Sequence, residues 1–396
     1  MKSLKSIKNL KNKKVLVRVD FNVPVGDDGI VDDKEDWRMK AALPTIEYLL
    51  EKKAKVILMT HLGRPEASQK FIKSKIHKVK NQKYSLRPVA ERLEELLNRK
   101  IKFVNDCVGD KVKKVANEIK TGEIVMLENL RFYKEEKENN KEFAKELAGL
   151  ADVYINNAFS VSHRKHASVV AVTKFLPSYA GLLLEKEVKI LSKAINNPEK
   201  PVIIIIGGAK IKTKIPVIKY LSNKFDNILA GGVVANVILK AKGVDIKNSL
   251  LDDININEVK KISFKDNKLH IPVDAVVCNS KNKVVLSAIG KIKNNKILDI
   301  GPETAKLYSK IISDSKTIIW NGPMGLFEKE EFSSGTKAVA KAVVKSEGYV
   351  IIGGGDTIAA VDKFGDLKKI NYICTGGGAM LEFLAGKELP GLEALK

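Results

Sequence analysis

Short apolar stretches alternate along the chain with longer segments of helical spacing. In the first half, VLVRV (15–19), KVILMT (55–60), IVML (124–127) and DVYINNAF (152–159) predict buried strands. Between them, AALPTIEYLLEKK (41–53), RPVAERLEELLNR (87–99) and KEFAKELAGLA (141–151) repeat apolar positions every three or four residues, as a helix with one buried face does. Strands alternating with helices predict right-handed βαβ units around a mostly parallel sheet.

The second half repeats the scheme, and here each apolar run ends in glycine: PVIIIIGG (201–208), NILAGG (227–232), TIIWNG (317–322) and YVIIGGG (349–355). Ligands bind beyond the carboxyl ends of the strands of an open parallel sheet, so these turns predict one binding surface along one edge. Between the halves, FLPSYAGLLLEKEVKILSKAINN predicts one long amphipathic helix after Pro177, a spine and hinge. Residues 67–83 carry six lysines and no acidic residue, and read as a solvated basic loop.

Composition narrows the class. A chain of 396 residues is long for one core, which favours two domains. No apolar run reaches the roughly 18 residues of a membrane span. Lysines interrupt MKSLKSIKNLKNKK, which therefore lacks the apolar segment of a secretory signal. Cys107, Cys278 and Cys374 lie far apart and fit a reducing cytoplasm, with neither a disulfide framework nor a zinc spacing.

The net charge is +23, which is compatible with nucleic-acid binding, with attraction of anionic metabolites, or with a lysine-biased composition. Residues 1–185 carry 37 Lys+Arg against 25 Asp+Glu, and residues 186–396 carry 33 against 22, so the excess is spread evenly, unlike a basic arm. The arginines are not spread evenly. All eight fall between Arg18 and Arg164. Arginine binds carboxylate and phosphate in a planar, bidentate way, whereas lysine acts as a point charge.

Candidate chemistry gathers at the predicted strand ends. VRVDFNVP (17–24) sets Arg18, Asp20 and Asn22 onto one side, THLGRP (60–65) adds His61 and Arg64, LENLRFY (127–133) adds Arg131, and SHRKHAS (162–168) adds His163, Arg164 and His166. A surface salt bridge would explain any one arginine; their convergence points to an anion. In the second half GGGDT (353–357) leads into a helix start, where backbone N–H groups favour phosphate and Asp356 could hold magnesium. A tight left-handed turn would account for those glycines equally well. TGGGA (375–379) repeats the arrangement, and GGAKIKTK (207–214) adds Lys210 and Lys214. WNGPMGLFE (320–328) supplies Pro323 to pack on a base and Glu328 to accept from ribose hydroxyls. The Walker spacing and the protein-kinase motif set are both absent.

VRVDFNVP, AALPTIEYLL, THLGRP, LENLRF, HRKHAS, GGAK, DIGPET, WNGPMGLFE, GGGDT, TGGGA and LPGLEALK occur in the order found in phosphoglycerate kinases, and the chain resembles that family from about residue 4 to its last residue. The resemblance implies an α/β fold of two Rossmann-like domains. Each is a mainly parallel sheet flanked by helices, joined by a long hinge helix. Residues 1–178 would bind phosphoglycerate, with the tail 388–396 returning to pack on them, and residues 179–387, including the linking helix, would bind nucleotide. It implies a glycolytic, cytoplasmic, monomeric enzyme that moves a phosphoryl group between 1,3-bisphosphoglycerate and ADP, with magnesium and no membrane or specific nucleic-acid partner.

Carried over residue by residue, the phosphoglycerate side is Asp20, Asn22, Arg38, His61, Arg64, Arg131 and Arg164, with Arg18 at a further basic position. The nucleotide side is Lys210, Lys214, Gly231, Gly232, Asn321, Pro323, Glu328, Gly354, Gly355, Asp356 and Thr357, with Asp356 holding the metal. Arg38, Lys210 and the backbone N–H groups of Gly376, Gly377 and Gly378 would face the moving phosphoryl group. The chain departs from the family pattern at Asn157 (usually Asp), Ser160 (Gly), Lys212 and Thr213 (Ser-Asp), Ile297 (Gly) and Met380 (a small polar residue). These departures bear on nucleotide affinity and base preference. Two other readings stay open: a kinase-fold protein that chiefly binds, and an acyl-phosphate kinase acting on another carboxylate.

Overall fold

A computed structural model describes residues 1–65, 82–252, 256–260, 268–279, 283–293 and 295–396. The basic stretch 67–83 lies outside the described residues apart from Gln82 and Lys83. The chain divides into two units, Met1–Lys189 with Glu388–Lys396, and Ile190–Lys387.

The first unit is built on β1 (Lys14–Arg18), β2 (Lys55–Met59), β3 (Ile101–Val104), β4 (Ile124–Leu127), β5 (Val153–Asn156) and β6 (Ser178–Ala180). They form a parallel sheet in the order β3-β4-β2-β1-β5-β6. β2 and β4 are buried almost throughout, which is why they read as unbroken apolar runs rather than alternating ones. The chain builds outward from β1 on one side and returns to its other side with β5. The crevice at the carboxyl end of β1 is therefore the switch point where such sheets take ligands. The helix Trp37–Glu51 turns Met39, Ala42, Ile46 and Leu49 into the core at alternating steps of three and four.

The segment after Pro177 is not helical at once. Ser178–Ala180 first pairs with β5 as the sixth strand, and the helix spans Leu182–Asn196. Its start is fixed by two side chains. Thr45 Oγ1 accepts from Leu182 N at 3.0 Å and donates to Asn157 Oδ1 at 2.8 Å, and Asn157 Oδ1 also accepts from Leu183 N at 3.1 Å. Two of the free N–H groups that open any helix are thereby satisfied. A Cβ at position 181 would lie 2.2 Å from Asn157 Oδ1, so glycine stands there. This helix contains the boundary between the units. Downstream, Gly391 N donates to Ser162 O at 2.8 Å and returns the tail to the first unit.

The second unit holds β7 (Val202–Ile206), β8 (Asn227–Ala230), β9 (Leu269–His270), β10 (Asp274–Cys278), β11 (Val284–Ala288), β12 (Lys296–Ile300), β13 (Thr317–Asn321), β14 (Tyr349–Gly353) and β15 (Tyr372–Cys374). Six of them form a parallel sheet in the order β15-β14-β13-β7-β8-β9, with the reversal between β7 and β13. The other three make a small antiparallel sheet, β11-β10-β12, which apolar periodicity did not foreshadow. Its outer strand, VVLSA, is largely exposed, so it carries no burial pattern to read.

Thr45→Ala removes both the cap on Leu182 and the partner of Asn157. Urea unfolding is expected to register a loss of about 1–2 kcal/mol. An unchanged midpoint and slope would show that the helix start is held by something else.

Candidate functional site

Cations converge on the switch point of the first sheet. Arg18, the last residue of β1, is only 1% exposed. Its Nε donates to Ser168 Oγ at 3.0 Å, its Nη1 to Val19 O, and its Nη2 lies 3.0 Å from His61 Nδ1. His61 follows β2, and its Nδ1 stands 3.9 Å from Asp20 Oδ1. Ser160 Oγ donates to the other Asp20 oxygen, so this departure from the family pattern holds a candidate site residue.

A second chain of contacts ties the remaining residues together. Arg38, in the first turn of its helix, donates from Nη1 to Asn22 O at 2.7 Å. Asn22 Oδ1 accepts from Gly63 N at 2.7 Å, and Gly63 O accepts from Arg131 Nη1. Arg64 is exposed beside Gly63, and Arg164 Nε reaches His163 Nε2 at 3.3 Å. The structure thus brings Arg18, Asp20, Asn22, Arg38, His61, Arg64 and Arg131 to neighbouring loops, with Arg164 coupled electrostatically to Arg131 and His61.

Among the described residues, Arg18, Arg38 and Arg131 make no surface salt bridge of the kind Arg92 makes with Asp36 and Glu95. Arg18, Arg38 and Arg131 give their described hydrogen bonds to backbone carbonyls, Ser168 and His61. Burial, reinforced by Arg164 and Arg18, draws the Arg131 guanidinium down to about 10. Burial with Arg164 and His166 nearby draws His163 to about 4, and burial with Arg18 and Arg131 holds His61 well below its ordinary value. Arg38 Nε, Arg131 Nε and His163 Nδ1 are enclosed without a partner among the described residues. A pocket that crowds positive charge at this cost is arranged to be neutralised by an anion.

In the second unit the glycine turns pack on one another at the carboxyl edge of the sheet. Gly208 N donates to Pro323 O at 2.7 Å, Gly232 N to Met324 O at 2.8 Å, and Gly207 N to Asn321 O at 3.0 Å. Gly322 has φ +94°, and a Cβ there would stand 2.2 Å from Gly207 O. Gly231 fits as closely against Met324, and a Cβ at 377 would meet Gly354 Cα at 2.7 Å. Asn321 and Thr357 serve this packing: Asn321 Nδ2 donates to Gly353 O at 2.7 Å, and Thr357 Oγ1 accepts from Gly322 N at 2.7 Å. Gly355, Asp356 and Gly378 stay exposed, at the starts of the helices Gly355–Phe364 and Gly377–Leu384. Gly376 precedes the second of these helices and is buried.

Lys210 is exposed at φ +62°, immediately before the helix Ile211–Leu221, and Thr213 Oγ1 donates to its carbonyl at 2.8 Å. Lys214 is buried one turn on and donates to Gly207 O. Burial draws its ammonium down to about 8, against the pull of Asp356. Beside these turns lies a cleft of about 270 Å³, lined by Gly232, Pro323, Glu328 and Asp356 together with Ile297 and Asp299. Ile297 adds apolar wall, while Met380 lies buried, its sulfur 2.3 Å from where a Cβ at 353 would be.

Three buried polar residues near these sites, Asp299, Ser168 and Glu136, are not among the candidates named from the sequence. Asp299 is 1% exposed and accepts from Gly335 N at 2.6 Å and Ile300 N at 2.9 Å; burial raises its carboxyl to about 7. The only signal for it was its place in the DIGPET motif.

Two parallel α/β sheets, one ending in a cationic crevice and the other in glycine turns with lysines and a cleft, define a phosphate-handling α/β protein. Residues 4–387 match the family model described as "Phosphoglycerate kinase". The chain is 47% identical to the phosphoglycerate kinase of Moorella thermoacetica over 98% of its own length and 97% of the relative's, and 47% identical to that of Aquifex aeolicus over 99% and 97%. The solved phosphoglycerate kinase from Coxiella burnetii superposes with a TM-score of 0.83 at 40% identity, covering 99% of this chain and 98% of that one. That from Pyrococcus horikoshii gives 0.83 at 36%, covering 100% and 98%. The chain belongs to the phosphoglycerate kinase family.

Asp299 allows a direct check of the cleft's electrostatics. Its folded-state value lies above that of an unfolded aspartate, so its contribution to stability is lost as pH rises from about 4 to about 7. Wild type is expected to lose ground to Asp299→Asn across that window and to run parallel to it above. Parallel curves throughout, in urea unfolding at pH 4.5–7.5, would contradict the raised value.

Proposed function

We propose that the chain catalyses reversible, magnesium-dependent phosphoryl transfer between 1,3-bisphosphoglycerate and ADP, giving 3-phosphoglycerate and ATP, as a cytoplasmic, monomeric enzyme of glycolysis. Family membership supports the reaction. The observation that carries the substrate side is the arginine crevice at the end of β1, where Arg38 Nε and Arg131 Nε are enclosed without a partner among the described residues and burial beside Arg164 and Arg18 draws Arg131 down to about 10.

On this reading the first unit is the phosphoglycerate-binding domain. Arg38, Arg64, Arg131 and Arg164 engage the phosphate and carboxylate, Asp20 and Asn22 meet the glycerate hydroxyl, and His61 donates beside them. Arg18, with every nitrogen already engaged, supports His61 from behind. The second unit is the nucleotide-binding domain. Lys210 and Lys214 meet phosphates, the turns at Gly231–Gly232 and Gly354–Gly355 admit the nucleotide closely, Asn321 and Thr357 hold those turns in shape, and Pro323 and Glu328 border base and ribose.

Asp356 fits magnesium as a single exposed carboxylate at a helix start, and no cluster of three or more potential ligands gathers among the described residues. Asp356 would hold the magnesium ion, which when bound would supply neutralisation of phosphate charge. The acceptor carboxylate is already ionised at neutral pH, so no general base is required. Arg38, Lys210 and the N–H groups of Gly376, Gly377 and Gly378 then supply positioning and charge neutralisation for an in-line transfer. Substrates held on separate domains require closure about the helix Leu182–Asn196, which also excludes water.

The test is ATP-dependent phosphorylation of 3-phosphoglycerate. Arg38→Ala and Lys210→Ala are each expected to lower kcat about 100-fold or more. An inactive wild type would sink the activity, and full rates in both variants would sink the assignment. Lys214 adds a pH signature. It is a cation below about 8 and loses that charge above, so kcat/KM for ATP is expected to fall on the alkaline side. Lys214→Met should be weak and lack that limb.

A further inference from the structure

Behind the arginine crevice runs a buried polar relay that the transfer reaction does not itself require. Glu136 lies in the short helix Lys134–Lys137 after β4 and is fully buried. Its Oε1 accepts from Ser168 Oγ at 2.6 Å and its Oε2 from Ser168 N at 2.9 Å. The Ser168 carbonyl is held in turn by Tyr154 Oη at 2.8 Å. Ser168 has one hydroxyl hydrogen and gives it to Glu136, so toward Arg18 it can only accept. It does so, from Nε at 3.0 Å. Arg18 has no acceptor, so where its Nη2 meets His61 Nδ1 at 3.0 Å the imidazole nitrogen must be unprotonated. The remaining hydrogen of a neutral His61 then sits on Nε2.

The carboxylate fixes the hydroxyl hydrogen of Ser168 and so keeps an acceptor facing Arg18, and Arg18, held there and able only to donate, fixes the hydrogen of His61. Burial alone would push the Glu136 carboxyl up, but His166, with Nδ1 3.6 Å away, the charge of Arg18 and the hydrogen bond from Ser168 hold it below the usual range. It is the anionic anchor for Arg18 in the interior. We propose that Glu136 is a positioning residue for the anion crevice: acting through Ser168 and Arg18, it holds His61 in the tautomer that accepts at Nδ1 and donates at Nε2. A histidine set this way is a directed donor to an anion without adding a further charge to the arginines around it. The charged and titratable groups that face it are Arg18, Asp20, Arg131, Arg164 and His166.

This inference rests on the substrate side proposed above, and one set of measurements separates the two. In the ¹⁵N spectrum of histidine-labelled wild type, His61 is expected to show an unprotonated Nδ1 and a protonated Nε2 from pH 6 to 8. Glu136→Gln and, as a second variant that leaves the carboxylate in place, Ser168→Ala should shift that pair toward tautomer exchange. Each should raise KM for 3-phosphoglycerate about fivefold, the effect of one hydrogen bond of ordinary strength, with KM for ATP changed less than twofold. Protonation of His61 at Nδ1 in the wild type would overturn the relay whether or not a variant folds. So would an unchanged spectrum and KM in a folded Ser168→Ala. If His61→Ala itself leaves KM for 3-phosphoglycerate unchanged, the crevice reading fails and this inference with it.

Discussion

Arg18 carries a permanent charge into a space that water does not reach, and the first unit is organised around making that tolerable. A guanidinium cannot shed its proton to escape burial, so each of its nitrogens must be met by an oxygen or an imidazole. The partners come from the loop after β1, the loop after β2 and Ser168. Those are the segments that a parallel sheet brings together where its strand order reverses. The buried charge and the crevice are thus two aspects of one arrangement. What fixes Arg18 also aligns the loops that carry Asp20, His61 and Arg164.

The second unit solves a different problem by different means. Its turns approach one another at distances that leave no room for a side chain, as at Gly207 against Gly322 and Gly354 against Gly377. The strand-end edge is therefore made of backbone, with Asn321 and Thr357 bracing it from below. Backbone surfaces of this kind present N–H groups at fixed positions, which suits phosphate oxygens. Lys210 and Lys214 add charge at opposite extremes of exposure, one in solvent and one buried with a lowered value.

Much of this was legible in the residues. β2, β4 and β7 are buried on both faces, so each appears as an unbroken apolar run, and the glycines after β7, β8, β13 and β14 marked the functional edge. Illegible were elements whose burial is partial. β6 is three residues long, and β11 exposes Val284, Val285 and Leu286, so neither leaves a periodic trace. Motif order named the residues at the crevice, but the residues that support it from behind were less visible. Glu136 sits among the charges of KEEKE, where Lys137 and Glu138 are exposed, Lys134 and Glu135 are partly so, and it alone is fully buried. Nothing in one dimension separates it from them.

The return of Glu388–Lys396 to the first unit has a consequence for synthesis. The loop bearing Ser162 takes part of its packing from Gly391, which is translated roughly 200 residues after the rest of its unit. At about 5–20 residues per second that is a delay of roughly ten to forty seconds. During that interval the Ser162 carbonyl lacks the Gly391 N–H that meets it in the finished fold. The second unit, continuous in sequence, has no such wait. The last residues of the first unit are therefore made only after the whole of the second has been synthesised.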